Sequence, residues 1–472
     1  MLSWIAGNST LIAAAIVAPW FAAVLAALYR RGVRPIGFCA SLVSVAASAL
    51  LLDAAPHGQS LYQALMLLFS CLTAAATLVL ARRDCTPATM SGILFALGST
   101  LLGYSTENLL VLFAAWILSS APFLLADRSR AVRAWRPVAG LLLSSLALAL
   151  AIALIAVRGH AISIDGLTGQ SPGGMAAFAL LVAAVMFRKG ICPAHAWVAD
   201  AAERGPVIPT ALLLNGHFGA LLVAKLIVPL FPRTAGNLFP VLSYLAIATA
   251  LYVAIRALAE NSPRRLLAFI ALSQSACILA GLESRTSEGI TGALVHWFVV
   301  TVSTLGLLAI LRLLEVRFGE NLTASYHLGL AEHAPRLAVS FAVFGLALVG
   351  LPGTLSFCSQ DLLIHGTLMS HPLTGLLLPI ATAMNAVSVF RLFTRLFLGT
   401  RRTGFTFVAD ALPRERWTLA AGVLFVVLGG LFPRLIVAQR SADADAVEQA
   451  ILSPAREPHW NLTSWRDLIP LK

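Results

Sequence analysis

The sequence predicts an all-α polytopic membrane protein of about 14 transmembrane helices. Of its 472 residues, 59% are hydrophobic and only 11% are charged. A soluble domain carries about 25% charged residues. Apolar runs long enough to cross a bilayer recur along the chain, and in lipid the α-helix is the only open element that satisfies its own backbone. A soluble enzyme, a nucleic-acid-binding protein and a disordered chain are thereby excluded. The formal charge of +12 reports where arginines stand relative to the membrane, not a nucleic-acid partner.

In chain order, spans are predicted near 10–28, 36–52, 61–80, 88–104, 109–126, 138–157 and 175–187. The second half continues at 207–230, 238–258, 266–282, 290–314, 337–363, 373–397 and 417–431. The first is followed by Arg30, Arg31 and Arg34 and reads as a retained span, not a cleaved signal. Most of the 33 basic residues fall in alternate loops, including Arg82, Arg83, Arg128, Arg130, Arg133, Arg136, Arg401 and Arg402. The opposite loops hold only Arg158, Arg233 and Arg285. The arginine-rich loops are therefore expected in the cytoplasm, with both termini outside. Thirty arginines against three lysines fit a bacterial inner membrane. Residues 1–436 form the expected transmembrane domain and 437–472 a polar tail, able to lie on the membrane surface or on a partner.

Two places interrupt good spans. One runs from Gly190-Ile191-Cys192-Pro193 to Gly205-Pro206-Val207-Ile208-Pro209, the other is Gly350-Leu351-Pro352-Gly353. Proline removes a donor and glycine frees the backbone. Such backbone is tolerated at membrane depth only inside protein or beside a wet cavity. Paired interruptions in the two halves of a chain suggest two inverted repeats with broken helices, and point to an ion or substrate path.

Ionisable residues gather near these breaks. Arg188, Lys189, His195, Asp200, Glu203 and Arg204 surround the first, with His217 and Lys225 in the next span. Asp361 follows the second, and His296 lies inside 290–314. An ionisable group inside a span costs about 2.5–3.5 kcal/mol, which makes each a candidate for an ion path. Each also has a plain alternative. Lys225 can snorkel to the outer surface, His296 can be a hydrogen-bonded core imidazole, and His195 can sit on a short surface segment. Cys39, Cys71, Cys85, Cys192, Cys277 and Cys358 lack metal-type spacing, and there is no iron–sulfur cluster motif or nucleotide-binding glycine loop. No metal, cofactor or catalytic centre is expected in this chain.

Four stretches carry a family resemblance. Pro193-Ala194-His195-Ala196-Trp197-Val198-Ala199-Asp200-Ala201, with Gly205-Pro206 and Pro209-Thr210-Ala211-Leu212-Leu213, resembles the broken-helix motif of the antiporter-like membrane subunits of respiratory complex I. Glu107-Asn108-Leu109-Leu110 with Trp116 resembles the start of that family's fifth helix. Arg264-Arg265-Leu266-Leu267-Ala268-Phe269 with Ser273-Gln274, and Ser356-Phe357 with Asp361, resemble two later motifs in register. The family includes NADH-quinone oxidoreductase subunits of the L/M/N type, Mrp antiporter subunits, membrane hydrogenase subunits and the DabB subunit of inorganic-carbon transporters.

The resemblance implies a proton or cation path, and the departures from it concern that path. The family's fifth-helix glutamate falls on Ile117. Its seventh-helix lysine falls on Arg188, or on Lys189 after a one-residue shift. Arginine is essentially always charged and cannot cycle a proton as lysine does. The family's histidine after the second proline falls near Leu214, with His217 one turn on. Its later His–His–Lys series becomes His296, Val300 and Thr304, and the second-break lysine becomes Gln360. The resemblance then implies an ion-conducting membrane subunit that works with at least one other protein subunit. The DabB-like type is favoured by elimination, and its partner would be a large zinc-containing, carbonic-anhydrase-like protein. The alternatives are a subunit of a redox-driven complex I-like or hydrogenase-like pump, and a non-conducting scaffold.

Overall fold

The computed structural model describes residues 8–29, 31–56, 58–125, 135–319, 322–400 and 409–452. Arg30, Arg128, Arg130, Arg133, Arg401, Arg402 and the tail beyond 452 lie outside the described residues. The first half holds α1 (Ser9–Leu28), α2 (Val33–Asp53), α3 (Leu61–Val79), α4 (Pro87–Ser105), α5 (Leu109–Leu125) and α6 (Trp135–Gly159). Next come α7 (Gly174–Lys189), α8 (Ala196–Arg204), α9 (Val207–Asn215) and α10 (Phe218–Leu222). The second half holds α11 (Pro232–Ala259), α12 (Pro263–Leu282), α13 (Ser287–Phe318), α14 (Pro335–Leu348), α15 (Leu355–Ser370), α16 (Pro372–Phe397), α17 (Pro413–Leu431) and α18 (Arg434–Leu452). No strand occurs among the described residues, only an isolated bridge between Asn108 and Ser163.

Local chemistry sets the starts. α11, α12, α14, α16 and α17 open with proline, whose missing N–H is free in a first turn. Thr86 and Thr286 cap α4 and α13 by accepting the N–H groups of Thr89 and Gly289.

Each expected span falls on helix, but not as fourteen uninterrupted ones. Among the described residues, ten helices are long and apolar enough to cross a membrane, counting Val207–Leu230 as one, or eleven if the bent pair α17–α18 counts as one span. The others are shorter: α5, α7 and the pair α14–α15. The span expected at 337–363 is divided because Gly350 and Gly353 take positive φ, 84° and 88°, which ends α14 before α15 begins. A hydropathy window averages over such a division.

Burial orders the bundle. In Val207–Leu230, α12 and α13, 94%, 89% and 89% of the central window is inside the protein, against 33% for α1. Ionisable residues on these three spans are therefore shielded from lipid.

Ion pairs knit the arginine-rich end. Arg312 binds Asp84 through two hydrogen bonds of 2.7 and 2.8 Å and also reaches Glu315. Glu315 accepts from Arg264, and Arg265 joins Asp200, Glu203 and Glu260. At the opposite end, α18 bends away from α17 by 77° and packs on α13. Residues 437–452, expected as polar tail, are thus helix docked on the bundle. Buried Arg440 and Asp443 both bind Ser60 in the α2–α3 loop.

Glu260, between α11 and α12, gives a pH prediction. Burial raises its pKa, but hydrogen bonds from the Ser262 and Asn261 N–H groups and from Arg265 outweigh this and hold it below its ordinary 4.5. A depressed carboxylate stabilises the fold at pH above its unfolded value, and that contribution is lost as pH falls through the folded value. The melting temperature of the chain should fall below about pH 5, and Glu260→Gln should fall less steeply over the same range. Parallel curves would contradict this.

Candidate functional site

The first break places two cations differently. α7 ends at Lys189 because Gly190 takes φ +69° as its C-cap. Arg188 points towards α5: its Nη2 donates to Ser119 Oγ at 2.8 Å, and its guanidinium lies 5.0 Å from the Trp116 ring and 5.3 Å from Phe218. This is a fixed cation in an aromatic cradle. Lys189 turns the other way and lies 2.8 Å from His217 Nδ1. Its stem crosses Gly219, where any Cβ would strike Lys189 Cγ.

His217 sits at a discontinuity between α9 and α10, with φ +42°, rare for a residue with a side chain. A lysine ammonium only donates. Whenever Lys189 carries its proton, His217 Nδ1 must accept and the ring proton is on Nε2. That nitrogen is buried with no hydrogen-bond partner among the described residues. A cavity of about 30 Å³ beside it is lined by Lys189, Asn215, His217, Ser275 and Val300, room for one or two waters.

From here α12 is the junction. Ser273, Gln274 and Ser275 are consecutive, and successive helical residues point 100° apart, so they reach three neighbours. Ser275 Oγ is 3.5 Å from His217 Nδ1, Gln274 Oε1 is 2.9 Å from His296 Nε2, and Ser273 accepts from Asn385 Nδ2 at 2.8 Å. His296 is fully buried on α13, and its Nδ1 lies 3.1 Å from Ser359 Oγ on α15. Ser359 also donates to the Ser356 carbonyl, and Gln360 Nε2 donates to Ser356 Oγ. A buried polar line thus runs from the first break, through α12 and α13, to the second.

The other candidates stand apart from that line. His195 is half-buried, its ring 4.9 Å from Tyr252 and its Nδ1 3.4 Å from Cys192 Sγ. Asp361 is exposed and faces His365 on its own helix. Pro193 lies in the turn between α7 and α8, Pro206 caps α9, Pro209 lies in its first turns, and Pro352 in the turn between α14 and α15. A Cβ at Gly205 would meet the Ala201 carbonyl and the Thr210 hydroxyl, so this corner packs tightly. Ile117 points out of the bundle, 40% exposed, so α5 serves the site with Trp116 and Ser119.

Lys225 does not snorkel. It is buried in a π turn at Val223–Ile227, 3.3 Å from Glu107 Oε1, donating to the Tyr104 carbonyl at 2.8 Å. Glu107 is a partner the sequence reading quoted only as a motif. Removing one member of a buried pair costs about 3–5 kcal/mol, whereas removing both costs far less. Lys225→Met should therefore lower thermal stability strongly, and Glu107→Gln combined with it should recover most of the loss. Equal losses in single and double variants would contradict the pairing. Gln274 was likewise quoted only within a motif, and Ser275, Ser359 and Asn385 were missed, though three adjacent polar residues, Ser273 to Ser275, inside an apolar span were a readable signal.

Residues 105–385 match the family model described as NADH:quinone oxidoreductase/Mrp antiporter, TM. The chain belongs to this family. Among its NADH:quinone oxidoreductase/Mrp antiporter relatives, NADH-quinone oxidoreductase subunit N 3 of Streptomyces griseus is 28% identical over 374 residues, 72% of this chain and 67% of that one. Subunit N of Geobacillus kaustophilus is 28% identical over 370 residues, covering 72% of each. Subunit M of Mycobacterium tuberculosis is 28% identical over 250 residues, and the match spans only 44% of its length. A chain of respiratory complex I from Thermus thermophilus superposes with a TM-score of 0.86 at 23% identity, over 94% of this chain and 100% of that one. A chain of the Mrp complex from Dietzia superposes at 0.82 with 19% identity, over 94% and 99%. The NADH:quinone oxidoreductase/Mrp antiporter fold is thus shared, and the chain is a multi-pass membrane protein.

Proposed function

We propose that the chain is a proton-conducting membrane subunit of a multisubunit complex. The observation that carries this is the Lys189–His217 contact, buried between the two helix breaks and continued towards His296. Lysine and histidine both gain and lose protons, and 2.8 Å is a distance over which one proton passes directly. Water in the adjoining cavity would connect His217 to Ser275, and Gln274 Oε1, which accepts from His296 Nε2, orients that imidazole to take up the proton by water rather than carrying it itself. Arg188 does not relay. It holds a fixed charge and orients α7 against α5.

The names of the matched relatives support work within a complex, because they are subunits of NADH-quinone oxidoreductases and of an Mrp complex. The arginine-rich, ion-paired end is assigned to the cytoplasm of a bacterial inner membrane, with both termini outside. Within the family we favour the DabB-like role, in which ion flow through this chain energises inorganic-carbon uptake by a zinc-containing, carbonic-anhydrase-like partner. Glutamate is missing after Trp116 and lysine is missing at 360, which argues against an ordinary complex I pump.

The test is mild-detergent purification of the tagged chain from its native cell, with mass spectrometry and metal analysis of what accompanies it. A large zinc-bearing soluble partner supports the inorganic-carbon role and sets up a CO2-hydration assay. Iron–sulfur or flavin subunits would sink that role and place the chain in a redox-driven complex. A complex that forms normally but moves no protons would leave only a scaffold.

A further inference from the structure

We propose that the cleft between α3, α13 and α17 is a binding site for one anionic phospholipid, with its phosphate at the arginine-rich end. The cleft has a volume of about 620 Å³ and nearly continuous apolar walls, including Leu72, Ala75, Val302, Ala421 and Phe425. Cys71 and Trp417 are exposed on its rim, so it opens towards surrounding lipid. It runs beside α17, whose 19 residues span about 28 Å, the thickness of a bilayer's hydrocarbon core. A void of this kind does not hold water, because its walls offer too few polar partners. An acyl chain fits its length and chemistry.

The arginine-rich end supplies the headgroup site. Arg414 lines the cleft, and it shares Glu415 with Arg317. Arg34 Nε, Arg317 Nη1 and Arg414 Nε are buried donors without a hydrogen-bond partner among the described residues. The carboxylate that faces Arg317 and Arg414 is Glu415, which lies 2.5 Å from Arg317 Nη2, 3.6 Å from Arg414 Nη2, and also accepts from the Leu412 N–H, while Arg34 Nη2 donates to the Leu80 carbonyl at 2.6 Å. Asp84 nearby is held by Arg312. Two guanidinium groups on one carboxylate, with the Arg34 guanidinium on the Leu80 carbonyl, leave an excess of positive charge and three idle N–H donors. A phosphate brings negative charge and acceptor oxygens together, and basic pockets at helix ends are where anionic lipid headgroups dock. The apolar cleft and the unpartnered donors are independent observations, and a phospholipid satisfies both at once.

Cys71 reports occupancy. The full chain is placed in nanodiscs of phosphatidylcholine alone, and of phosphatidylcholine mixed equally with phosphatidylglycerol. It is treated with a bulky lipid-soluble maleimide, and labelling of each cysteine is followed by peptide mass mapping. Labelling of Cys71 should be about tenfold slower with phosphatidylglycerol, while that of Cys39, outside the cleft, is unchanged. Arg317→Gln with Arg414→Gln should abolish the difference. Ala75→Phe, which fills the apolar part and leaves the arginines in place, should remove a co-purifying phosphatidylglycerol mass in native mass spectrometry, and this arm stands if the arginine variant fails to fold. Equal labelling in both discs would overturn the proposal. So would protection that survives both arginine substitutions, or protection by inorganic phosphate added to phosphatidylcholine discs.

Discussion

Replacing Lys189 by alanine is expected to stop proton movement while the chain still folds and assembles. The lysine is the nearest proton donor to His217 Nδ1, at 2.8 Å, and the next polar atom, Ser275 Oγ, is 3.5 Å away. Without it His217 keeps no titratable neighbour towards the first break. Positioned proton-transfer groups are worth about 10²–10⁴ in rate, so a loss of about a hundredfold is the expected floor. Lys189→Arg is the sharper variant. It keeps the positive charge but cannot release a proton at working pH, so a relay role predicts the same loss, and a purely electrostatic role predicts near-normal activity. Proton flux into vesicles carrying the native complex measures it, with subunit content checked by mass spectrometry. Normal flux in both variants would show that the path runs elsewhere. Lost assembly in both would assign Lys189 to structure.

Gly292→Leu is expected to be the most damaging single substitution in the second half. A Cβ at Gly292 on α13 would stand 2.5 Å from the Leu363 backbone nitrogen and 2.9 Å from the Ser359 carbonyl on α15. No rotamer relieves a clash with backbone, so the two helices must part. Close approach of small residues is how helices pack in lipid, where dispersion replaces the hydrophobic drive. Gly366 and Gly289 meet backbone to backbone on the same seam. Overpacking here should cost about 3 kcal/mol or more, and parting α13 from α15 also separates His296 from Ser359. A drop in melting temperature together with loss of proton flux is expected. Gly236→Ala is the control, because its Cβ would find Ile451 at an ordinary 3.7 Å. An unchanged melting temperature for Gly292→Leu would contradict the seam.

The helical membrane architecture was legible because hydrophobicity and backbone satisfaction act on each segment separately. The breaks were legible for the same reason: glycine and proline act where they stand. The contacts were not. Lys189 meets His217 across 28 residues, and Gln274 meets His296 across 22. Lys225 read as an ion-path candidate with snorkelling as its plain alternative, and nothing local announced that its partner is Glu107. Ile117 stood at a family ionisable position, yet its side of α5 faces outward, which depends on how the whole bundle is rotated. Arg188 and Lys189 are neighbours in sequence with the same charge, and only the 100° turn between adjacent helical residues assigns one to an aromatic cradle and the other to a histidine.

The clasp of α18 on Ser60 has a consequence for biogenesis. Asp443 and the Ser60 amide it binds are 383 residues apart. At about 5–20 residues per second, the loop between α2 and α3 waits roughly 20–80 seconds after synthesis before its partner emerges. Through that interval the first helices have crossed the membrane with one end unlatched. A chain cut short before α18 would leave Ser60 without Asp443 and Arg440 permanently.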